Sequence, residues 1–289
     1  MPNGNLKLAI QKSGRLTEKS LQLLKTCGLD VENYKDRLFV TVRNFPMDIL
    51  FLRDDDIPEY VQNGVADLGI VGENVLLEKR SVVDIAKKLG YGRCKLRIGI
   101  PEYEELENIE GLNGKTIATS YPNIMQSFLN ENKLDSRVIQ ISGSVEITPS
   151  LGIADYICDL VSTGTTLQMN KLKKSFTILE SEAVLIKYKE LEMNNEKAEI
   201  FSNLLARIES GLNAKNSKYL MMNIPKNSLK KIVEIIPSLK SPTVLSLADE
   251  NMLAIQSVIP ADKFWEINED LHNEGATDIL LLPIENIIL

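Results

Sequence analysis

The chain has 289 residues, with 44% hydrophobic and 25% charged residues, an ordinary balance for a globular protein of two or three domains. Its formal net charge of −7 argues against wrapping nucleic acid, whose phosphates need a broad basic surface, and no run approaches the roughly 18 apolar residues that cross a bilayer. The single histidine, His272, and three scattered cysteines, Cys27, Cys94 and Cys158, exclude zinc sites of the usual ligand sets and argue against Ser-His-Asp or Cys-His catalysis. The cysteines read as small buried hydrophobes of a reducing compartment, and the N-terminus lacks the pattern of a secretory signal, so a cytoplasmic location is expected.

Short apolar runs alternate with helical patterns over the first hundred residues, the signature of an α/β layer fold. Leu6–Ile10, Phe39–Val42, Asp48–Leu52, Asp67–Val71 and Leu96–Ile100 read as strands. Thr17–Cys27 reads as a helix closed by Gly28, and the acids before Pro58 open another. After a polar break at Pro101–Gly114, a second α/β unit runs through strand Lys115–Thr119, helix Pro122–Asn130, strand Arg137–Ile141, short helix Val145–Leu151 and strand Tyr156–Val161. The apolar runs Phe176–Leu179 and Ala183–Ile186 are expected to return the chain to the first unit, which would leave a ligand-sized cleft between two lobes. From Lys218 onward the order strand (Tyr219–Ile224), helix (Ser228–Ile236), strands (Thr243–Leu247 and Met252–Ile259), helix (Asp262–Asn273) and strand (Asp278–Leu282) is the βαββαβ ferredoxin-like arrangement.

The strongest local signal is Asp159-Leu160-Val161-Ser162-Thr163-Gly164-Thr165-Thr166-Leu167. A strand ends in small hydroxyl residues around one glycine and turns into a helix, which reads as a phosphate cradle of backbone amides or as an ordinary capped turn. Glu146, Asp155 and Asp159 are the nearby acids. Because carboxylates repel phosphate, their plausible partners are sugar hydroxyls or magnesium. Gln11-Lys12-Ser13-Gly14-Arg15-Leu16 follows the first strand, where open α/β sheets present ligands, so Lys12 and Arg15 are candidate phosphate contacts or surface cations. The turn Asp67-Leu68-Gly69-Ile70-Val71-Gly72-Glu73 would let a planar base approach the backbone, or merely permit tight packing. Gly114-Lys115-Thr116 imitates the end of a P-loop, but Ile109 stands where the first glycine belongs and the segment precedes a strand.

Taken together these segments resemble the long-form ATP phosphoribosyltransferase family. The resemblance rests on Leu8–Leu16, Gly64–Gly72, Ile117–Asn123, Gly143–Glu146 and Leu151–Asp155 through Gly164–Leu167, in that order. It implies an α/β fold with a two-lobed, periplasmic-binding-protein-like (type II) catalytic core and a C-terminal ferredoxin-like (ACT-like) regulatory domain. Lobe I would comprise residues 1–101 and 176–212, lobe II residues 102–175, and the histidine-sensing domain residues 213–289. The resemblance further implies Glu146, Asp155 and Asp159 as catalytic residues. Asp159, Val161, Ser162, Thr163, Gly164, Thr165 and Thr166 would hold phosphoribosyl pyrophosphate. Lys12, Gly14, Arg15, Asp67, Gly69, Glu73 and Tyr121 would hold ATP, with AMP a further candidate ligand. Asn223 (where some relatives carry Asp), Leu239, Ser241 and Thr243 would bind L-histidine as feedback inhibitor. Magnesium is the implied cofactor, without an assigned ligand set, and the implied assembly is a homo-oligomer from dimer to hexamer. Prephenate dehydratase also joins such a core to an amino-acid-sensing domain, but its Thr-Arg-Phe signature is absent and it has no use for a phosphate cradle. A non-catalytic ligand-binding module is the remaining alternative.

Overall fold

The computed structural model describes residues 4–31, 37–161, 164–191 and 195–288. They form two compact units: residues 4–22 with 30–198, and residues 23–29 with 199–288. The expected domain boundary near residue 213 is thus preceded by a division at Ala198/Glu199, inside one long helix.

In the first unit, chain order runs β1 (Leu6–Gln11), the greater part of α1 (Arg15–Thr26), β2 (Phe39–Thr41), β3 (Met47–Leu52), α2 (Ile57–Gln62), β4 (Leu68–Gly72), α3 (Glu73–Lys79) and β5 (Asp84–Lys88). It continues through β6 (Cys94–Pro101), β7 (Thr116–Thr119), α4 (Pro122–Glu131), β8 (Arg137–Gln140), β9 (Tyr156–Val161), α5 (Thr165–Met169), β10 (Leu172–Ser181) and β11 (Ala183–Lys187). One lobe is built on a six-stranded sheet, β2-β3-β1-β4-β11-β5, and the other on a five-stranded sheet, β10-β6-β9-β7-β8. β1, β3 and β4 run parallel, as do β7, β8 and β9, so each lobe presents the carboxyl ends of its parallel strands along one edge. Strand interiors read as near-continuous apolar runs because both faces are covered: Leu6, Leu8, Ala9, Ile10, Leu68, Ile70 and Val71 are all fully buried.

Two expected strand placements differ. Leu96–Ile100 lies in β6 and Phe176–Leu179 in β10, and the two strands pair with each other in the second sheet rather than joining the first. Apolar content marks a strand but carries no information about its partner; here the antiparallel β6–β10 ladder decides it. The chain therefore crosses between lobes twice, through residues 89–93 and at Glu182. The crossings bond to each other, Leu89 N–H to Ala183 O at 2.9 Å and Ala183 N–H to Tyr91 O at 2.8 Å.

The second unit holds the greater part of α6 (Asn195–Lys215), then β12 (Ser217–Pro225), α7 (Leu229–Ile235), β13 (Thr243–Ser246), β14 (Met252–Pro260), α8 (Phe264–Asn273) and β15 (Thr277–Pro283). Its antiparallel sheet has the order β13-β14-β12-β15, the ferredoxin-like arrangement the sequence pattern implies. Both short helices cover one face of that sheet. Ile232, Ile236, Phe264 and Leu271 pack onto Leu220, Met222, Ile224, Leu253 and Ile255.

Candidate active site

The carboxyl edges of the parallel strands gather most of the residues with chemical potential. After β1, Lys12 and Gly14 form an exposed turn; Gly14 has φ +122°, and the Thr17 hydroxyl donates to Gln11 O at 2.8 Å, tying the first turn of α1 back to the strand end. After β4, Glu73 opens α3 and meets Lys88 Nζ at 3.3 Å. After β7, Tyr121 precedes α4, its backbone N–H donating to Thr119 Oγ1 at 2.9 Å. After β9 comes Gly164, with φ +92°, a left-handed conformation in which a side chain would be strained. Thr165 and Thr166 follow it, exposed, on the first turn of α5.

Electrostatics links Tyr121 to Asp159, and Asp159 to Glu146. Burial raises the Asp159 carboxyl above its ordinary range and the charge of Glu146 raises it further, against the pull of the Leu160 N–H that donates to Asp159 Oδ1 at 2.7 Å. Burial likewise raises the Tyr121 hydroxyl, and the Asp159 charge adds to it. A partly buried carboxyl and a partly buried phenol thus mark one corner of the cleft, with the charge of Glu146 bearing on Asp159.

Beside this corner lies a cavity of about 620 Å³ lined by Lys88, Arg93, Lys95, Arg97 and Lys174, with Glu73, Glu180 and Glu182 on the same walls. β6 runs antiparallel to β9, so Arg97 stands opposite Asp159 and Lys95 opposite Val161 in the ladder, each pair on a common face. Lys95 is ion-paired with Glu180, whose carboxyl is held below its ordinary range by the Lys95 hydrogen bond and charge. Lys174 on β10 lies along the cradle: a Cβ at Gly164 would stand 3.1 Å from its Cε and 3.5 Å from its Nζ. Glu182 Oε2 is buried and accepts no hydrogen bond from the described residues, since Arg93 Nε approaches only to 3.6 Å. A cationic pocket beside a left-handed glycine turn and a carboxylate pair suits a phosphorylated sugar: cations for the phosphates, acids for the hydroxyls.

Family comparison decides which phosphorylated sugar chemistry this is. The family model described as ATP phosphoribosyltransferase matches residues 53–210, and the one described as HisG, C-terminal domain matches residues 214–286. An ATP phosphoribosyltransferase of Cytophaga hutchinsonii is 47% identical over 283 residues, spanning 98% of each chain. This chain belongs to the ATP phosphoribosyltransferase family. An ATP phosphoribosyltransferase of Parabacteroides distasonis is 45% identical over 284 residues, 98% of this chain and 100% of that one. Among solved structures, the ATP phosphoribosyl transferase (HisG:HisZ) complex from Thermotoga maritima superposes with a TM-score of 0.59 at 30% identity, covering 71% of this chain and 98% of that chain. As an ATP phosphoribosyltransferase the chain is a pentosyltransferase. It joins the 5-phosphoribosyl group of phosphoribosyl pyrophosphate to N1 of the adenine of ATP, releases pyrophosphate and opens histidine biosynthesis. Members of the family act with a divalent metal ion.

Not every residue expected at the site of an ATP phosphoribosyltransferase stands in this cleft. Asp67 precedes β4 at the opposite edge of its sheet, where its carboxylate takes both contacts of Lys197 Nζ at 2.8 Å and the Lys7 N–H at 2.8 Å. Gly69 lies mid-strand beneath α2, and a Cβ there would meet Ile57 Cγ2 at 2.7 Å and Val61 Cγ2 at 3.0 Å; packing, not a base, requires the glycine. Asp155 precedes β9, four residues and roughly 13 Å from Asp159 along the strand, and its Oδ2 accepts the Thr116 N–H at 2.7 Å. All three make structural contacts away from the cleft-facing strand ends, since a strand has two ends and motif spacing does not say which faces the cleft. Ser162 and Thr163 lie outside the described residues. Arg15 opens α1 at the expected turn. Val161 lines the cavity.

The sequence reading missed the basic lining. Lys95 and Arg97 alternate along β6, with Arg93 two residues before Lys95 in the crossing, and period-two cations in an otherwise acidic chain were the available signal. In the second unit, Asn223 Nδ2 donates to Asp278 Oδ2 at 2.9 Å. Leu239, Ser241 and Thr243 are exposed on the segment entering β13. β14 separates that strand from β12, which puts Thr243 roughly 10 Å from Asn223 across the sheet.

Proposed function

We propose that the first unit is the catalytic core and that transfer occurs where the carboxyl ends of β4, β7 and β9 meet the cationic pocket. The observation carrying this reading is the adjacency of Asp159, Glu146, Gly164 and the Lys95–Arg97–Lys174 lining. The amides and hydroxyls from Gly164 to Thr166 cradle the 5-phosphate. Asp159 and Glu146 hold the ribose hydroxyls and stabilise the positive charge that builds on the ring as the anomeric bond to pyrophosphate lengthens. Lys95, Arg97 and Lys174 neutralise the departing pyrophosphate. ATP lies toward Lys12, Gly14, Arg15, Glu73 and Tyr121, with AMP able to take the same place. Adenine N1 attacks with its own lone pair and needs no general base, which suits a cleft without histidine. Catalysis then rests on alignment of the two substrates and on fixed charge.

Among the described residues no group of three or more His, Cys, Asp or Glu is set to hold a metal. Asp159, on which the charge of Glu146 bears, nonetheless fits magnesium, which is commonly held by one or two carboxylates together with substrate phosphates. When bound, it would supply Lewis-acid stabilisation of the leaving pyrophosphate.

The second unit is the regulatory domain, with residues 213–289 as its sensing part and L-histidine as its ligand. Asp278 supports this assignment, because it returns a carboxylate to Asn223, the position where some relatives carry Asp. The functional form is a homo-oligomer, dimer to hexamer, acting in the cytoplasm on small molecules and on neither nucleic acid nor membrane. Its free cysteines suit that compartment, and no described helix is long and apolar enough to cross a membrane. The test is an absorbance assay of adenine alkylation with ATP, phosphoribosyl pyrophosphate and magnesium, with and without histidine. A signal that needs all three and falls with histidine is expected. A magnesium-independent signal removes the metal, histidine-insensitivity removes the sensor, and no signal overturns the site.

A further inference from the structure

α3 is short, seven residues and about 10 Å, yet both of its ends are tied to something other than its own sheet. Its first turn is fixed to the second interlobe crossing. Glu73 N–H donates to Glu182 O at 3.0 Å, Asn74 N–H donates to Ser181 Oγ at 3.0 Å, and that hydroxyl donates in turn to Asn74 Oδ1 at 2.9 Å. Its last turn reaches the other lobe. Glu78 Oε1 accepts the Asn123 N–H at 3.1 Å, Glu78 Oε2 accepts the Ile124 N–H at 3.0 Å, and Asn123 Nδ2 donates to Glu78 O at 2.8 Å.

The recipient amides belong to the first turn of α4, whose preceding residue, Tyr121, offers no side-chain cap. Such amides want an acceptor, preferably an anionic one. Here the anion comes from the opposite lobe and uses both carboxylate oxygens, a fork that fixes direction as well as distance. α4 cannot move away from α3 without exposing two amides and a carboxylate together. Tyr121, one residue before α4, stands at the carboxyl end of β7, where the chain enters the cleft.

We infer that Glu78 is a positioning residue, the far end of a strut that holds the two lobes at a fixed opening in the ligand-free protein and fixes the start of α4, and with it Tyr121, at the end of β7. Two-lobed proteins that hinge freely spend part of their time open, and apparent affinity falls by the fraction of molecules in the competent arrangement. The strut removes that loss. It goes beyond the assignment of the reaction and does not depend on it, because the contact exists without substrate.

The test uses the full-length protein carrying Glu78→Ala or Glu78→Gln, examined by hydrogen exchange without ligand and by steady-state kinetics. Faster exchange at Asn123 and Ile124 is trivial; the informative amides are Leu89 and Ala183 in the crossings, which Glu78 does not touch. The expected result is about tenfold faster exchange there in Glu78→Ala and a KM for both substrates raised about tenfold with kcat held within about twofold. Glu78→Gln, which keeps one acceptor and the side-chain length, should fall between it and the parent. Unchanged crossing amides would overturn the strut, as would a loss confined to kcat at parental KM. If Glu78→Ala does not fold, Glu78→Gln alone decides by the same two readouts. A parent protein without transferase activity would sink the functional assignment yet leave the exchange result standing.

Discussion

Replacing Gly164 by alanine isolates the contribution of the cradle. The residue has φ +92°, and an added Cβ would lie 3.1 Å from Lys174 Cε and 3.5 Å from its Nζ. Holding a non-glycine residue in left-handed backbone costs about 1–2 kcal/mol. The turn can relieve that strain by rotating its amides away from the phosphate, so the cost should appear in binding rather than in global stability. At about 1.4 kcal/mol per factor of ten, the KM for phosphoribosyl pyrophosphate should rise roughly 5- to 30-fold. The KM for ATP should stay near its parental value. Lys174→Met should raise the same KM through lost charge, and the double variant should cost less than the sum because both changes act on one contact. The assay is initial rate by adenine alkylation with either substrate varied, beside a thermal melt of each variant. A KM for phosphoribosyl pyrophosphate within twofold of parental in a well-folded Gly164→Ala protein would refute the cradle.

Three further substitutions test the rest of the site. Asp159→Asn should lower kcat/KM on the order of a hundredfold, while raising the melting temperature at neutral pH. Its folded carboxyl titrates above the ordinary range, so its contribution to stability is complete below a pH of about 3.9 and is lost as pH rises through the folded value; the melting difference between parent and variant should therefore vanish near pH 3, and a difference independent of pH would contradict the cause assigned to the shift. Lys197→Met leaves Asp67 buried without its cation, with side-chain exposures of 18% and 9% for the pair, and should cost about 3 kcal/mol or more, read as a lower urea midpoint, with little change in the KM for ATP. Gly69→Ala should destabilise by roughly 1–3 kcal/mol through its clash with Ile57, again without moving that KM. A tenfold rise in either variant's KM for ATP would restore Asp67 or Gly69 to the nucleotide site.

The strands of the core were readable because burial on both faces leaves only apolar side chains to choose from, as in Leu6–Ile10 and Leu68–Val71. β5 was not readable: Asp84-Ile85-Ala86-Lys87-Lys88 is an edge strand, and edges carry charge that hides the strand pattern while discouraging stray pairing. α6 was also missed, although Phe201, Leu204 and Ile208 lie on one buried stripe at helical spacing, because polar residues surround them. In the site, the Gly164 turn was legible from its chemistry, whereas the division between Asp159 at the cleft and Asp155 away from it depends on strand direction. Lys174 could not be found at all from local sequence. Its position beside Gly164 is created by the β6–β10 and β6–β9 ladders, which join segments far apart in the chain.

The insertion of β11 between β4 and β5 sets the order in which the lobes can be completed. The second sheet is assembled wholly from residues 94–181, a continuous stretch. The first sheet instead leaves β5 with no neighbour until β11 emerges roughly a hundred residues later, about ten seconds at ribosomal speed. During that interval the nascent chain displays an unpaired β4 edge of Leu68, Ile70 and Val71, all buried in the finished protein. Closure of the first lobe is thus the slow, long-range step of folding. A chain released after Ser181 but before Lys187 would carry a finished second lobe on an adhesive, half-built first one.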